Sequence, residues 1–370
     1  MPVIVLRVFA VVLALGLLHG CTRLPQLVGV DNALIPVASV ATASKRKVFM
    51  VTTREASDVI GVFYSHERAP DLGFSSVTVS IPPNHVAGNL ERAKKLPPDP
   101  ETEFAIVDPV TFGSDDVFIA HLNRELAKLP PKDRQILFFV HGYNNTVSDS
   151  LLRIAQFSED TDFAGVPVLF SWASAAKTSR YVYDLNSALI ARPRFLDTAG
   201  IIRRSNATGV SLFAHSMGAF LTMEAIVQAQ LANDYDQNTG RLDNIMLAAP
   251  DIDLDLFKTQ LASLPKDRRN IFVFVSHDDK ALGFSRRISG GVERAGSAND
   301  EELSGLGVTV IDLSEVEDST SGTHSKFAGS PEVVQLIGKS LTQDNFNKPP
   351  RSPTLVEVLD GVPVLNVLVP

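Results

Sequence analysis

Ser216, a group of aspartates after a later strand, and His324 are the residues whose types and order could carry nucleophilic acyl chemistry. Ser216 sits in Gly209-Val-Ser-Leu-Phe-Ala-His-Ser-Met-Gly218, where an apolar run of strand length meets small residues and then a helix-forming stretch, Ala219 to Ala232. At the apex of such a turn a serine is held in strained backbone geometry that only small neighbours allow, and its hydroxyl projects above the sheet edge. The local motif is Ala214-His215-Ser216-Met217-Gly218, one methyl group away from G-x-S-x-G at Ala214. The bland alternative is a buried serine in a strand-to-helix turn.

A serine hydroxyl is a poor nucleophile at neutral pH, so it needs a base to take its proton and an acid to orient that base. Only His277 and His324 follow Ser216. Asn270 to Val275 reads as a strand, and Ser276-His-Asp-Asp-Lys280 is the loop at its carboxyl end, which brings Asp279 or Asp278 within reach of a site above the sheet. His324 lies in the polar loop Ser321-Gly-Thr-His-Ser325, while His277, beside the candidate acid, is expected to point away. Asp251 and Asp253 follow another strand and are alternative acids. An aspartate in these places is also a common helix cap.

The developing oxyanion needs two backbone donors. With such an elbow, one is the amide after the nucleophile, Met217, and the other comes from an earlier loop, here Phe139-Val-His141-Gly142-Tyr143-Asn144-Asn145, where the Tyr143 amide is the candidate. Gly142 lets that loop approach closely, and Gly218 is one of the small residues of the turn. His215 flanks the serine. His141 reads as a structural residue that hydrogen-bonds the loop, and Asn144 as one that orients it.

These residues need a sheet to position them. Val48 to Thr53, Val77 to Ile81 and Phe104 to Val107 read as opening strands, and Asp116 to Leu129 as a helix stopped by Pro130-Pro131. Gln135 to Val140 is a continuous apolar run that suits a strand buried on both faces. Alternation follows: helix Val147 to Asp160, strand Val166 to Trp172, helical stretches within Arg180 to Arg204, strand Val210 to Ala214, the helix after Ser216, strand Asn244 to Ala248, helix Asp253 to Leu264, strand Asn270 to Val275 and strand Val308 to Leu313. That pattern predicts an α/β chain with a mostly parallel, doubly wound sheet, helices on both faces and an antiparallel opening. Ala173 to Arg204, with Lys177, Arg180, Arg192, Arg194, Arg203 and Arg204, is a candidate lid or pocket wall; a solvated helix face is the plainer reading. Gly283 to Gly307 reads as a long polar loop.

The chain has 370 residues with a net charge of -8, and no basic stripe, so nucleic acid is not expected as a partner. It carries no G-x-G-x-x-G, no Walker A lysine loop, no H-E-x-x-H and no cysteine pair, and the chemistry above requires neither metal nor organic cofactor. Residues 1–20 carry one arginine and then the apolar run Val8 to Leu18, too short for a comfortable membrane span, and read as a signal peptide. The run ends in Leu18-His19-Gly20-Cys21, which resembles the cleavage box of bacterial lipoproteins, with His19 atypical; Cys21 is the single cysteine and would be the lipidated residue. Residues 21–44 are then expected to be a tether, 45–345 the catalytic domain and 346–370 a tail forming an edge hairpin or covering a groove.

The set His141-Gly-Tyr-Asn-Asn145, Phe170-Ser-Trp172, Tyr181-x-x-Asp184, Ala214-His-Ser-Met-Gly218, Ala249-Pro-Asp-Ile-Asp253, Ser276-x-x-Asp279-x-Ala-Leu282 and His324-Ser-x-Phe327 resembles the bacterial α/β-hydrolases of the domain-of-unknown-function 900 family. The resemblance spans roughly Lys45 to Leu341. It implies the α/β-hydrolase fold, membership of the esterase and lipase group, and Ser216, Asp279 and His324 as nucleophile, acid and base. Ala173 stands where the family often has proline and Lys326 where it often has an aromatic. The expected activity is hydrolysis of a small-molecule or lipid ester through an acyl-enzyme, by an enzyme anchored through Cys21 in the cell envelope and facing the periplasm, or secreted. Acyl transfer by the same residues, and a non-catalytic envelope scaffold, are the alternatives.

Overall fold

The computed structural model describes residues 24–232, 242–265, 270–316, 323–342 and 367–368. The strands are β1 (Ser44–Ala56), β2 (Tyr64–Ile81), β3 (Ala105–Phe112), β4 (Gln135–Val140), β5 (Val166–Ser171), β6 (Gly209–His215), β7 (Leu242–Ala248), β8 (Ile271–Val275), β9 (Thr309–Asp312) and β10 (Val367–Leu368). They form one sheet in the order β10-β9-β8-β7-β6-β4-β5-β1-β2-β3. From β1 through β5, β4, β6, β7 and β8 to β9 all pairings are parallel; β2 and β3 continue antiparallel from β1, and β10 pairs antiparallel with β9. This is the expected mixed, mainly parallel α/β sheet.

The helices are α1 (Asp115–Ala127), α2 (Val147–Asp160), α3 (Tyr181–Arg203), α4 (Met217–Leu231), α5 (Leu254–Ala262), α6 (Lys280–Ile288), α7 (Asp300–Ser304), α8 (Lys326–Gly329) and α9 (Pro331–Thr342). Strand side chains alternate between two core layers. Ile136, Phe138 and Val140 of β4 join the layer that holds α1, α3, α4 and α5, and Leu137 and Phe139 the layer that holds α2 and α9. Burial on both faces is why the central strands read as unbroken apolar runs. β4 lies between β5 and β6, so the chain leaves β4 to one side and returns on the other, opening a crevice at the carboxyl ends of β4 and β6.

Several expectations need correction. β1 and β2 are far longer than predicted; Pro70, Gly73 and the charged residues of the first half of β2 hid its strand character, and β2 tolerates them because it runs near the sheet edge. Residues 24–44, expected to be a tether, pack on the domain: Leu27 is fully buried, its amide donates to Ser148 Oγ at 2.8 Å, and the Gly29 amide donates to the Ile106 carbonyl at 2.8 Å. Gly283 to Gly307 contains α6 and α7 in place of a plain loop. Of the tail, Val367 and Leu368 add an edge strand; the signal run, Cys21 and residues 346–366 lie outside the described residues.

Candidate active site

At the end of β6 the chain turns into α4 through Ser216, whose φ of 54° and ψ of -123° place it in a region that L side chains rarely adopt. The surroundings over-determine this strain. The Ser216 amide donates to the Ala248 carbonyl at 2.9 Å, extending the ladder to β7, and the Ser216 carbonyl accepts from Ala219 at 3.0 Å and from Asp251 at 3.3 Å. Gly218 has no room for a side chain: a Cβ there would stand 2.4 Å from the His141 carbonyl oxygen and 2.7 Å from that of Val140. Gly142 is nearly as tight, its Cβ position lying 2.9 Å from both His215 Nδ1 and Ser216 Cβ. The two glycines seat the loop after β4 directly against the elbow, and Ala214 fits fully buried beneath it.

Asp279 and His324, 45 residues apart in sequence, meet: His324 Nδ1 is 2.7 Å from Asp279 Oδ2. The Asp279 carboxylate is shared. Its Oδ1 accepts from the Ala281 and Leu282 amides at 2.9 and 3.0 Å and so caps α6, leaving Oδ2 for the imidazole. Burial opposes charge on His324, but the hydrogen bond and the negative charge of Asp279 outweigh it and raise its pKa. The His324 ring packs 4.7 Å from that of His215, whose Nε2 lies 3.1 Å from the His324 carbonyl oxygen. Burial, and then the nearby His324, push His215 well below the usual histidine range, so it stays neutral. Among the described residues no hydrogen bond joins Ser216 Oγ to the His324 ring; such bonds commonly tighten only when substrate is bound.

Phe327, three residues after His324, completes an aromatic stack under the site. Its ring lies 5.0 Å from Phe213 and 4.8 Å from His215, and Phe213 in turn stacks on Phe139 at 5.7 Å. Each such ring contributes about 1.5–3 kcal/mol by burial, enough to hold a short loop. Lys326 adds a polar strut: it is 3% exposed and its Nζ donates to Asp278 Oδ1 at 2.8 Å and to the Leu313 and Ser314 carbonyls at 3.0 and 2.9 Å. Against the cost of burial, Lys326 and Ser276 hold the Asp278 carboxyl below its usual pKa.

The loop after β4 is built on buried charge. Arg54, 2% exposed, donates from Nε to Ser171 Oγ at 3.0 Å and from its terminal nitrogens to the carbonyls of Ser174 and Asn145 at 3.0 and 2.9 Å. His141 stacks on Trp172 at 5.0 Å, and Trp172 Nε1 donates to the His141 carbonyl at 2.8 Å. Burial, then the Arg54 charge, push the His141 pKa down to about 3, so the imidazole is neutral. Asp184 accepts from Ser174 Oγ at 2.6 Å and from the amides of Ala175 and Asn144 at 2.6 and 3.2 Å. The expected orienting role of Asn144 needs adjustment. Asn144 supplies a left-handed turn with φ of 60°, whereas the side chain that ties the loop is that of Asn145, donating to the Gly142 and Tyr143 carbonyls at 3.2 and 2.8 Å. The Tyr143 and Met217 amides donate no hydrogen bond among the described residues.

The alternative acids are engaged elsewhere. Asp251 accepts from Tyr181 Oη at 2.9 Å and from Ser285 Oγ, with Arg294 Nε at 3.3 Å, and Asp253 caps α5 through the Asp255 and Leu256 amides at 3.0 and 3.2 Å. His277 points away from Ser216, its Nδ1 lying 3.2 Å from the Ser297 carbonyl oxygen. Most of the arginines between Ala173 and Arg204 serve packing: Arg192 pairs with Glu224 at 3.0 Å, Arg194 with Asp197 at 3.2 Å, and Arg204 with Asp115 and Asp116. α3 itself buries Tyr181, Asp184, Ala188, Ala191 and Phe195. Arg54 went unseen in the sequence, for a lone arginine at the end of a strand carries no motif. Asp184 stood inside a motif with no role attached.

A family model described as "Alpha/beta hydrolase of unknown function (DUF900)" matches residues 115–340. Among solved structures, a predicted CIB-like hydrolase from Thermoplasma acidophilum is 18% identical with a TM-score of 0.32, over 58% of this chain and 89% of that one. A chain from a structural analysis of two fungal esterases from Rhizomucor miehei is 10% identical with a TM-score of 0.35, over 82% of this chain and 85% of that one. Similarities this distant add nothing on substrate. No curated protein matches the chain.

Proposed function

Because the chain belongs to the DUF900 alpha/beta hydrolases, we propose that it is a serine hydrolase of carboxylic esters working through an acyl-enzyme. The observation that carries this reading is the 2.7 Å contact between His324 Nδ1 and Asp279 Oδ2, formed beside a serine strained at φ 54°. Ser216 Oγ attacks the ester carbonyl carbon while His324 Nε2 takes its proton, and the same nitrogen returns that proton to the departing alkoxide. Water then adds to the acyl-enzyme with His324 as base, and Ser216 leaves with the proton restored. Asp279 holds the imidazole with Nδ1 protonated, so that Nε2 faces the serine. The Met217 and Tyr143 amides, unengaged among the described residues, receive the oxyanion.

Labelling with a fluorophosphonate probe, together with turnover of an ester series of increasing acyl length, tests the reading. The parent is expected to label and to hydrolyse one part of the series. Ser216→Ala is expected to abolish labelling and lower kcat by roughly a millionfold; hydrolysis by that variant within about tenfold of the parent would remove Ser216 from the mechanism. Hydrolysis in water, with no acyl transfer to an added alcohol, separates hydrolase from transferase. We further propose that Cys21, after the apolar run of residues 1–20, carries a lipid that holds the enzyme on the bacterial envelope, facing the periplasm. No helix among the described residues is long and apolar enough to cross a membrane.

A further inference from the structure

The β8 loop, α7 and the end of β9 gather three groups that the ester chemistry does not use: His277, two residues before Asp279; Asp300, which opens α7; and Asp312, at the end of β9. One ligand atom from each lies within 4.8 Å of the others. His277 Nε2 is 3.4 Å from Asp300 Oδ1 and 3.9 Å from Asp312 Oδ2.

Three features of the cluster point to a cation. His277 Nδ1 lies 3.2 Å from the Ser297 carbonyl oxygen, an atom that can only accept, so the ring donates there and directs Nε2, the nitrogen left for a metal, toward the carboxylates. Donation of the far ring nitrogen to a backbone carbonyl is the arrangement that orients metal-bound histidines. Asp300 is 9% exposed, and its Oδ1 is buried without a hydrogen-bond partner among the described residues, because the 3.4 Å approach to His277 lacks hydrogen-bond geometry. Asp312 is split as Asp279 is: its Oδ1 accepts from the Ser314 amide at 2.8 Å and from Ser314 Oγ at 2.6 Å, which leaves Oδ2 for the cluster. Two carboxylate oxygens crowded against the ring nitrogen repel unless a positive charge lies among them, and a bound cation supplies it without requiring a proton on Nε2.

We propose that His277 Nε2, Asp300 Oδ1 and Asp312 Oδ2 bind a divalent transition-metal ion, Zn2+ by preference, that clamps the β8 loop to α7 and to the end of β9. Ligands bound at about 2.0–2.1 Å on a tetrahedral ion stand roughly 3.3 Å apart; the His277–Asp300 spacing of 3.4 Å matches this, and Asp312 Oδ2, 3.9 Å from Nε2, closes in by about half an ångström on binding. An imidazole beside two carboxylates favours Zn2+ over Ca2+ or Mg2+, which take oxygen ligands. His277 is partly exposed, so water completes the coordination. The ion would hold His277, two residues before Asp279, to partners other than those of the Asp279 contact to His324, and its role is to fix that loop.

The full-length folded chain, stripped with a chelator and exchanged into metal-free buffer, is titrated calorimetrically with Zn2+ and melted with and without it. One saturable site per chain and a raised Tm are expected, with the same affinity in the Ser216→Ala background. Asp300→Asn and His277→Gln should each weaken binding by more than about tenfold, the smallest cost seen even for outer partners of a metal site. Both variants relieve crowding of charge and are expected to melt in chelator no lower than the parent. Absence of saturable Zn2+ binding, affinity unchanged in both variants, or tighter binding of Ca2+ than of Zn2+ would each overturn the proposal.

Discussion

One carboxylate in this molecule has two jobs, and that makes its substitution informative. Asp279 Oδ1 caps α6 while Oδ2 faces His324. In Asp279→Asn only one oxygen remains, and two amide donors at the cap claim it, so the side-chain NH2 turns to the imidazole. Nδ1 must then accept, the ring proton moves to Nε2, and Nε2 can no longer take the proton of Ser216. Activity is expected to fall on the order of ten-thousandfold with the thermal melt little changed, as kcat and Tm measured together will show. The pH profile adds a signed check. Asp279 raises the His324 pKa against the effect of burial, and the base works only when neutral, so activity in the parent falls as the pH drops through that raised value. The residual activity of the variant should keep its acid limb at lower pH. A limb that stays in place would mean that Asp279 does not set the basicity of His324. Asp278, which the loop position alone left open beside Asp279, is occupied by Lys326 and Ser276.

At the scale of elements, two kinds of close fit have different consequences. A methyl group at Gly218 would meet backbone carbonyls at 2.4 and 2.7 Å, which cannot yield, so Gly218→Ala is expected to cost about 3 kcal/mol of stability. At Gly142 the obstacles are His215 Nδ1 and Ser216 Cβ at 2.9 Å, so Gly142→Ala should leave Tm closer to that of the parent while lifting the loop off the elbow, at a cost of about a hundredfold in kcat/KM. A second joint responds to pH. His85 sits between Glu91 and Asp160, with ring nitrogens 2.7 and 2.6 Å from their oxygens, and so ties the 82–91 loop to the end of α2. Burial lowers its pKa, but Asp160 and Glu91 outweigh that and raise it to about 8. A folded-state pKa above the unfolded value means that the clamp is at full strength below about pH 6.5 and fades as the pH rises through about 8. The loss is on the order of 1 kcal/mol after solvent screening. Denaturant melts across this range should show the decline in the parent and a flatter profile in His85→Gln. The elements at the centre of the sheet were legible in the sequence because β4, β6 and β8 are buried on both faces and write their burial as apolar runs. β2 was not, since half of it lies among polar and proline residues, where pairing with β1 makes it a strand.

For the molecule as a whole, the segment proposed to set its address precedes its described residues. If Cys21 is lipidated, Cys21→Ser should move the enzyme from the membrane fraction to the soluble periplasm, or leave it unprocessed, with unchanged turnover in detergent. Mass spectrometry of the mature N-terminus decides between the outcomes, and an unmodified residue after Cys21 would mark a secreted enzyme. Residues 24–44 then do more than connect: Leu27, Val28, Val37 and Val40 are buried against the domain, so any anchor would hold the body of the enzyme close to the membrane. The proximity of Ser216, Asp279 and His324 was expected from the chain because each follows a strand in a fixed order, while Arg54, the buried cation under the loop, makes its contacts with residues 11 to 120 positions away and leaves no local pattern. The double duty of Asp279 also bears on how relatives of this protein are to be interpreted. A descendant that gave up catalysis would still need its α6 capped, so selection for folding alone would keep the aspartate while releasing His324 to drift. Among such chains the presence of the aspartate says only that the helix is intact, and the histidine is the residue that reports a living enzyme.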